Sequence, residues 1–311
     1  YRCDADGGNV RMISPNVEHD NSPWMMPDGR IIYTRWEYVD RDQTSYHHLW
    51  TFNPDGTAQM TYFGNMHRGT LMIDAKPIPG SEKVVAIFAP GHGKREHAGA
   101  ITVVDPRYGP DHRPSAWRVD AGYDEQKEKY PGGIGWRDPY PFSEDCFLVA
   151  CLKSLYVMDG EGNCETVYTL PGTENEDVMS SLWVHEPRPI VKREREPVIP
   201  ARADGSESVG RFVVADVTVG RNMAGVKAGE IKKLLILEVL PKPINFSGMM
   251  DPITAHSSYF IYRIMGTVPV EPDGSAYFDV PALRPLFFVA LDEKGLSVKR
   301  MQSFVNVMPG E

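Results

Sequence analysis

Asp20-Asn-Ser-Pro-Trp-Met-Met-Pro-Asp-Gly-Arg-Ile-Ile-Tyr-Thr34 sets out, in order, an acid, a proline three positions on, a turn (here Pro-Asp-Gly) and a β-rich run. The order returns twice. Asp74-Ala-Lys-Pro77 precedes Pro79-Gly-Ser81 and Val84-Val-Ala-Ile-Phe88, and Asp138-Pro-Tyr-Pro141 precedes Ser143-Glu-Asp145 and Phe147-Leu-Val149. Glu186-Pro-Arg-Pro189 opens a fourth unit. Proline and glycine set the turns through their φ preferences, and β-branched residues fill the strands between them. A second hairpin follows in each unit: Leu49-Trp-Thr-Phe-Asn-Pro-Asp-Gly-Thr57, the looser Ile101-Thr-Val-Val-Asp-Pro106, and Leu155-Tyr-Val-Met-Asp-Gly-Glu-Gly162.

Two hairpins per unit predict four-stranded antiparallel blades whose apolar faces stack around a common axis. The prolines are spaced 54, 64 and 48 residues apart, and the pattern resembles the TolB-type propeller repeat. The expected fold class is all-β: β-propeller blades over residues 1–190, a charged linker over 191–210, and a β-sandwich-like middle domain over 211–311. Residues 1–13 read as an outer hairpin, and the blade count predicts that the blades are part of a larger propeller continuing upstream. With Tyr1 at its start, the chain is read as a piece of a longer protein. In the second half, Phe212-Val-Val-Ala-Asp-Val217, Gly266-Thr-Val-Pro-Val270, Ala276-Tyr-Phe-Asp-Val280 and Leu286-Phe-Phe-Val-Ala-Leu291 read as strands. Leu234-Leu-Ile-Leu-Glu-Val-Leu240 suits strand or helix by periodicity.

Radial stacking predicts that the unit-opening acids Asp20, Asp74, Asp138 and Glu186 ring one mouth of the central channel, with His19, Arg137 and His185 beside them. Clustered carboxylates there can hold a cation or share a proton. In a purely structural reading, each satisfies backbone N–H groups of the neighbouring blade. His92-Gly-Lys-Arg-Glu-His97 offers His92, Glu96 and His97 as three metal ligands, in a glycine-rich loop rather than a zinc helix; a solvated loop is the plainer reading. In Tyr46-His-His48 the two imidazoles are adjacent on a strand, so at most one faces a ligand.

Gly 28, Pro 26 and 41% hydrophobic residues among 311 describe a globular chain of short elements, not a helical bundle or a disordered tail. A net charge of −9 disfavours nucleic acid and anionic lipid. The longest aliphatic run, Leu234 to Leu237, is far short of the ~20 residues of a membrane-spanning helix. Gly-x-Ser-x-Gly, P-loop and Rossmann signatures are all missing. Cys3, Cys146, Cys151 and Cys164 contain no Cys-x-x-Cys and are expected to be free, buried thiols.

Arg221-Asn-Met-Ala-Gly-Val-Lys-Ala-Gly-Glu-Ile-Lys-Lys-Leu234, Val239-Leu-Pro-Lys-Pro-Ile-Asn245, Gly266-Thr-Val-Pro-Val-Glu-Pro-Asp-Gly-Ser-Ala-Tyr-Phe278 and Ala290-Leu-Asp-Glu-Lys-Gly-Leu-Ser-Val-Lys-Arg-Met-Gln-Ser-Phe304 resemble the hydrazine synthase α-subunit-like proteins. The propeller half matches through His19-Asp-Asn-Ser-Pro-Trp-Met-Met-Pro-Asp-Gly-Arg30 and Gly91-His-Gly-Lys-Arg-Glu-His-Ala-Gly99. The resemblance implies a periplasmic or otherwise extracytoplasmic c-type haem redox protein. This chain would shape a haem and substrate pocket, with other subunits of a haem protein complex as partners. It implies an oxidoreductase of nitrogen redox chemistry if the chain is enzymatic. The Cys-x-x-Cys-His of haem c is expected beyond Pro309-Gly-Glu311, so its attachment falls on no residue present here. His92, His97, Asp20, Asp74 and Asp138 would be pocket groups. The competing readings are a noncatalytic propeller scaffold that binds a partner protein or an ion, and a propeller glycan hydrolase.

Overall fold

The computed structural model describes residues 1–16, 19–37, 41–42, 44–92, 97–119, 135–172, 182–240 and 261–311. The first blade is β1 (Asp20–Met25), β2 (Ile31–Trp36), β3 (Tyr46–Phe52) and β4 (Met60–Phe63), each antiparallel to the next. The second is β5 (Thr70–Pro77), β6 (Val84–Ala89), β7 (Ala100–Val104) and β8 (Ala116–Arg118). The third is β9 (Arg137–Ser143), β10 (Cys146–Cys151), β11 (Ser154–Asp159) and β12 (Cys164–Thr169). A short parallel contact, Tyr46 and His47 against Thr70 and Leu71, joins the first two blades. Ahead of them, Arg2 pairs with Arg11 in a small hairpin, and Ile13 packs on Tyr33 and Phe52.

Period-two alternation explains why the second blade is hydrophobic on both faces. On β6, Val84 and Ala86 join Ile32, Leu49 and Phe63 of the first blade in one core. Val85 and Ile87 point the other way, into a core with Phe147, Val149 and Met158 of the third blade. Successive side chains leave a strand on opposite sides, so a blade between two others needs apolar residues at every position. The outermost strand β12 has no such neighbour among the described residues and is exposed throughout.

Among the described residues, the second half holds two sheets. β13 (Val209–Val214) pairs with β16 (Ala276–Pro281), and β15 (Ile261–Pro269), β14 (Lys233–Leu240), β17 (Leu286–Leu291) and β18 (Ser297–Arg300) form a four-stranded sheet in that order. They face each other across a core of Phe212, Ile236, Phe278, Leu286 and Phe288. The ambiguous run at 234–240 is strand β14, hydrogen-bonded on both sides. Its buried Glu238 accepts from Arg263 and Arg284, whose guanidinia stay half-exposed. Paired in this way, a carboxylate can sit among apolar neighbours.

Residues 191–208 contain no strand, but they are not a free tether. Asp55 of the first blade accepts the backbone N–H groups of Arg202 at 2.5 Å and Ala203 at 3.0 Å. Gly29, at φ 85° in the Pro-Asp-Gly turn, lies so close to the Pro197 carbonyl that no Cβ fits between them. The two halves also meet at Arg35 on β2. Its guanidinium lies 4.2 Å from the Trp50 ring on one side and 4.2 Å from the Phe304 ring on the other. One nitrogen also donates to the Phe304 carbonyl at 3.0 Å.

Of the four cysteines, all free, only Cys151 is buried; Cys146 is half-buried, while Cys3 and Cys164 are exposed. The expectation of four buried thiols is corrected, because β12 and the N-terminal hairpin carry no packed face. Among the described residues, no helix is long and apolar enough to cross a membrane.

Candidate functional site: an acidic ring on the propeller axis

The innermost strands share a defect. In β1 the register against β2 shifts between Asn21 and Trp24; in β5 it shifts between Ile73 and Lys76; in β9 it shifts between Arg137 and Tyr140. Each is a β-bulge with one extra residue, which bends the strand and re-aims a side chain. Its first residue has positive φ in every case: Ser22 at 49°, Asp74 at 57° and Asp138 at 49°, with Glu186 at 47° in the fourth unit. Non-glycine residues rarely adopt this conformation, and repetition in four units marks it as part of the architecture.

These residues converge. Carboxylate oxygens of Asp74, Asp138 and Glu186 all lie within 4.8 Å of one another. Ser22 Oγ donates to Asp74 Oδ1 at 2.7 Å, and Asp138 Oδ2 accepts the Glu186 N–H at 3.0 Å. His185 Nδ1 stands 3.4 Å from Asp138 Oδ2. Asp74 and Asp138 are each 6% exposed, whereas Glu186 faces solvent and takes Arg188 onto its Oε2. Burial, and then the charge of Asp138, push the Asp74 carboxyl up to about 6, against the pull of Ser22, Lys76 and His97.

Two residues further along β1, β5, β9 and the strandless segment of the fourth unit lies a second layer: Trp24, Lys76, Tyr140 and Arg188. The Trp24 ring is 5.1 Å from Lys76 Nζ, 4.9 Å from the Arg188 guanidinium and 6.4 Å from the Tyr140 ring. A two-residue step along a strand returns to the same face, which is why bulge residue and layer residue share the axis. Burial lowers the Lys76 ammonium, opposed first by Asp74.

Asp20 is the one unit-opening acid outside the three-carboxylate group. Its place in the ring is taken by Ser22. Asp20 instead accepts hydrogen bonds from Ser14 and, at 2.7 Å, from Asn16 Nδ2, and burial raises its carboxyl against the field of Arg35. It lines a cleft of about 470 Å³ with Tyr33, Arg195 and Val198. The acid-x-x-proline spacing aligned Asp20 with Asp74. The bulge instead aligns Ser22-Pro23 with Asp138-Pro139 and Glu186-Pro187, a dipeptide signal present in the sequence.

The remaining residues lie outside the three-carboxylate group. His19 packs on Trp36, ring centres 5.5 Å apart, and the Arg137 guanidinium lies over Trp183 at 4.5 Å. His92 packs on Trp36 and His47 at 4.7 and 5.7 Å. His97 is exposed and reaches Asp74 only through its field. Glu96 lies outside the described residues. Among the described residues, the grouping able to hold a metal is the axial one and includes neither His92 nor His97.

His48 is fully buried, and neither ring nitrogen has a hydrogen-bond partner among the described residues. Burial, then the charges of Arg41, His47, Arg35 and His67, hold its pKa well below the usual imidazole value. Below about pH 6.5 the unfolded chain takes up a proton that the folded chain refuses, so stability falls as pH drops, by up to ~1.4 kcal/mol per pH unit. Denaturant titrations from pH 8 to 5 should show a steeper loss in the native chain than in His48→Leu. Parallel curves would show that His48 stays neutral without cost.

Residues 229–311 match the hydrazine synthase alpha subunit middle domain family. In structural comparison, Kuenenia stuttgartiensis hydrazine synthase superposes with a TM-score of 0.73 at 18% identity, over 96% of this chain and 43% of that one. Over residues 229–311 the chain is similar to the hydrazine synthase alpha subunit middle domain. The chain spans less than half the length of that relative, and at this identity the likeness is one of fold. The extracellular domain of a B. thetaiotaomicron one component system aligns at 10% identity over 94% of this chain and 37% of that one, with a TM-score of 0.29. No curated protein sequence matches.

Proposed function

We propose that this chain is the propeller and middle-domain portion of an extracytoplasmic c-type haem redox protein. It shapes a haem and substrate pocket and works beside other subunits of a haem protein complex. The observation that carries the reading is the coincidence of two likenesses: the middle-domain family over 229–311 and a fold shared across 96% of the chain.

The residues present do not fit covalent haem. Attachment needs Cys-x-x-Cys-His, and the four cysteines at positions 3, 146, 151 and 164 have no such spacing. Haem is therefore assigned to a segment outside these 311 residues. This chain's part is to bring side chains and a shaped surface: the aromatic and imidazole cluster of His19, Trp36, His47 and His92, and the acids of the axis. The test is the pyridine haemochrome spectrum of the full-length parent polypeptide, produced with haem c maturation. A covalent Soret-absorbing species is the expected result; a parent without covalent haem overturns the reading.

A second reading, a noncatalytic scaffold binding an ion or partner protein, draws support from one contact. Asp138 already accepts the backbone N–H of Glu186 from the next unit, as a carboxylate with a purely structural role would. Saturation of all the ring acids in this way would favour it, but one oxygen of Asp74 is not saturated.

A further inference from the structure

The geometry points to a divalent-cation site of the calcium class on the propeller axis, formed by Asp74, Asp138 and Glu186 with the Ser22 hydroxyl beside them. The three carboxylates each offer an oxygen within 4.8 Å of the others. Calcium bonds oxygen at 2.3–2.6 Å, so oxygens on opposite sides of the ion stand up to about 5 Å apart. Magnesium, at 2.0–2.1 Å and with strict octahedral demands, suits such a spread less well. All the donors are hard oxygens, with no thiolate or imidazole in the group, which disfavours zinc and copper.

A separate observation asks for an occupant. Asp74 Oδ2 is buried in a side chain 6% exposed and has no hydrogen-bond partner among the described residues, although Oδ1 is served by Ser22. A buried carboxylate oxygen without a donor costs free energy that a bound cation recovers. The nearby positive groups do not meet this need. Arg188 is committed to Glu186 Oε2 and to the Trp24 face, and Lys76 lies in the layer beyond, against the same indole. Three bulges, and a residue of the same positive φ at Glu186, supply the means, so four chain segments contribute one oxygen-bearing side chain each.

The site does not depend on the haem reading, and its test contains no haem signal. Chelator-treated protein is titrated with Ca²⁺ by calorimetry and thermal denaturation, with Tb³⁺ as a luminescent stand-in excited through tryptophan. The expected result is saturable binding, a melting temperature that rises with Ca²⁺, a weaker response to Mg²⁺, and Tb³⁺ emission displaced by Ca²⁺. Asp138→Asn should weaken binding at least about tenfold, since ligand charge sets affinity. Because Asp138 also holds the Glu186 backbone, the exposed Glu186→Gln serves as the second variant: its metal-free melting temperature should match the native one while its Ca²⁺ response shrinks. Absence of any response at millimolar Ca²⁺, or an undiminished response in Glu186→Gln, overturns the proposal.

Discussion

Arg35→Met is expected to cost about 3–5 kcal/mol, the range for removing one member of a buried charge pair. Methionine preserves length and apolar bulk, so the loss isolates what the guanidinium does. Arg35 and Glu37 are nearly inaccessible, at 2% and 1% side-chain exposure, and their charges approach to 3.5 Å. Glu37 also pairs with Arg41, so the variant leaves a buried carboxylate with one cation instead of two. It removes the donor to the Phe304 carbonyl and the cation held between Trp50 and Phe304. Stacked, desolvated guanidinia of this kind contribute about 2 kcal/mol or more each. Arg35→Lys should recover only part of the loss, because an ammonium cannot fill a planar slot between two rings. Glu37→Gln in the Arg35→Met background should restore some stability, and a double-mutant cycle measures the coupling. Denaturation midpoints within 1 kcal/mol of the native protein would mean that the halves are held together elsewhere.

That contact shows what local sequence can and cannot convey. Blades were legible because each is specified within some fifty residues: the Pro27-Asp-Gly29 turn, the alternation in β6 and the Asp-Gly hairpins are short-range chemistry. Arg35 and Phe304 are 269 positions apart, and no periodicity links them. The ring of acids was legible for a related reason, since a repeated unit repeats its geometry. Three of the four expected members converge, and Asp20 does not. The miss has a definite origin. Proline spacing registers the chain by turn chemistry, whereas the bulge registers it by backbone conformation, and in the first blade the two differ by two residues, Asp20 against Ser22. The second layer could not be read at all, because Trp24, Lys76, Tyr140 and Arg188 have no chemistry in common. Loop composition offers His92 as a candidate ligand, with a solvated loop as the plainer reading. Its place against Trp36 depends on a tryptophan in another blade, information that a loop motif does not hold.

Phe147→Ala should be of similar size, about 3–5 kcal/mol, from lost transfer energy plus the cavity left behind. Phe147 is wholly buried on β10, in the core that joins Leu71, Ile73, Val85 and Ile87 of the second blade to Val149 and Met158 of the third. It tests radial stacking itself. If the third blade owes its order to this interface, hydrogen exchange in β9 to β12 should accelerate in the variant, while β14 and β17 of the distant sheet keep their protection. Val167→Ala, on the exposed strand β12 of the same blade, is the matching control and should stay within about 0.5 kcal/mol. A cost for Phe147→Ala no larger than the control would mean that the blades are not packed face to face. The bulge residues would then have nothing to hold them on one axis, because the oxygens of Asp74, Asp138 and Glu186 come from separate units. Only the stacking of those units brings them within 4.8 Å.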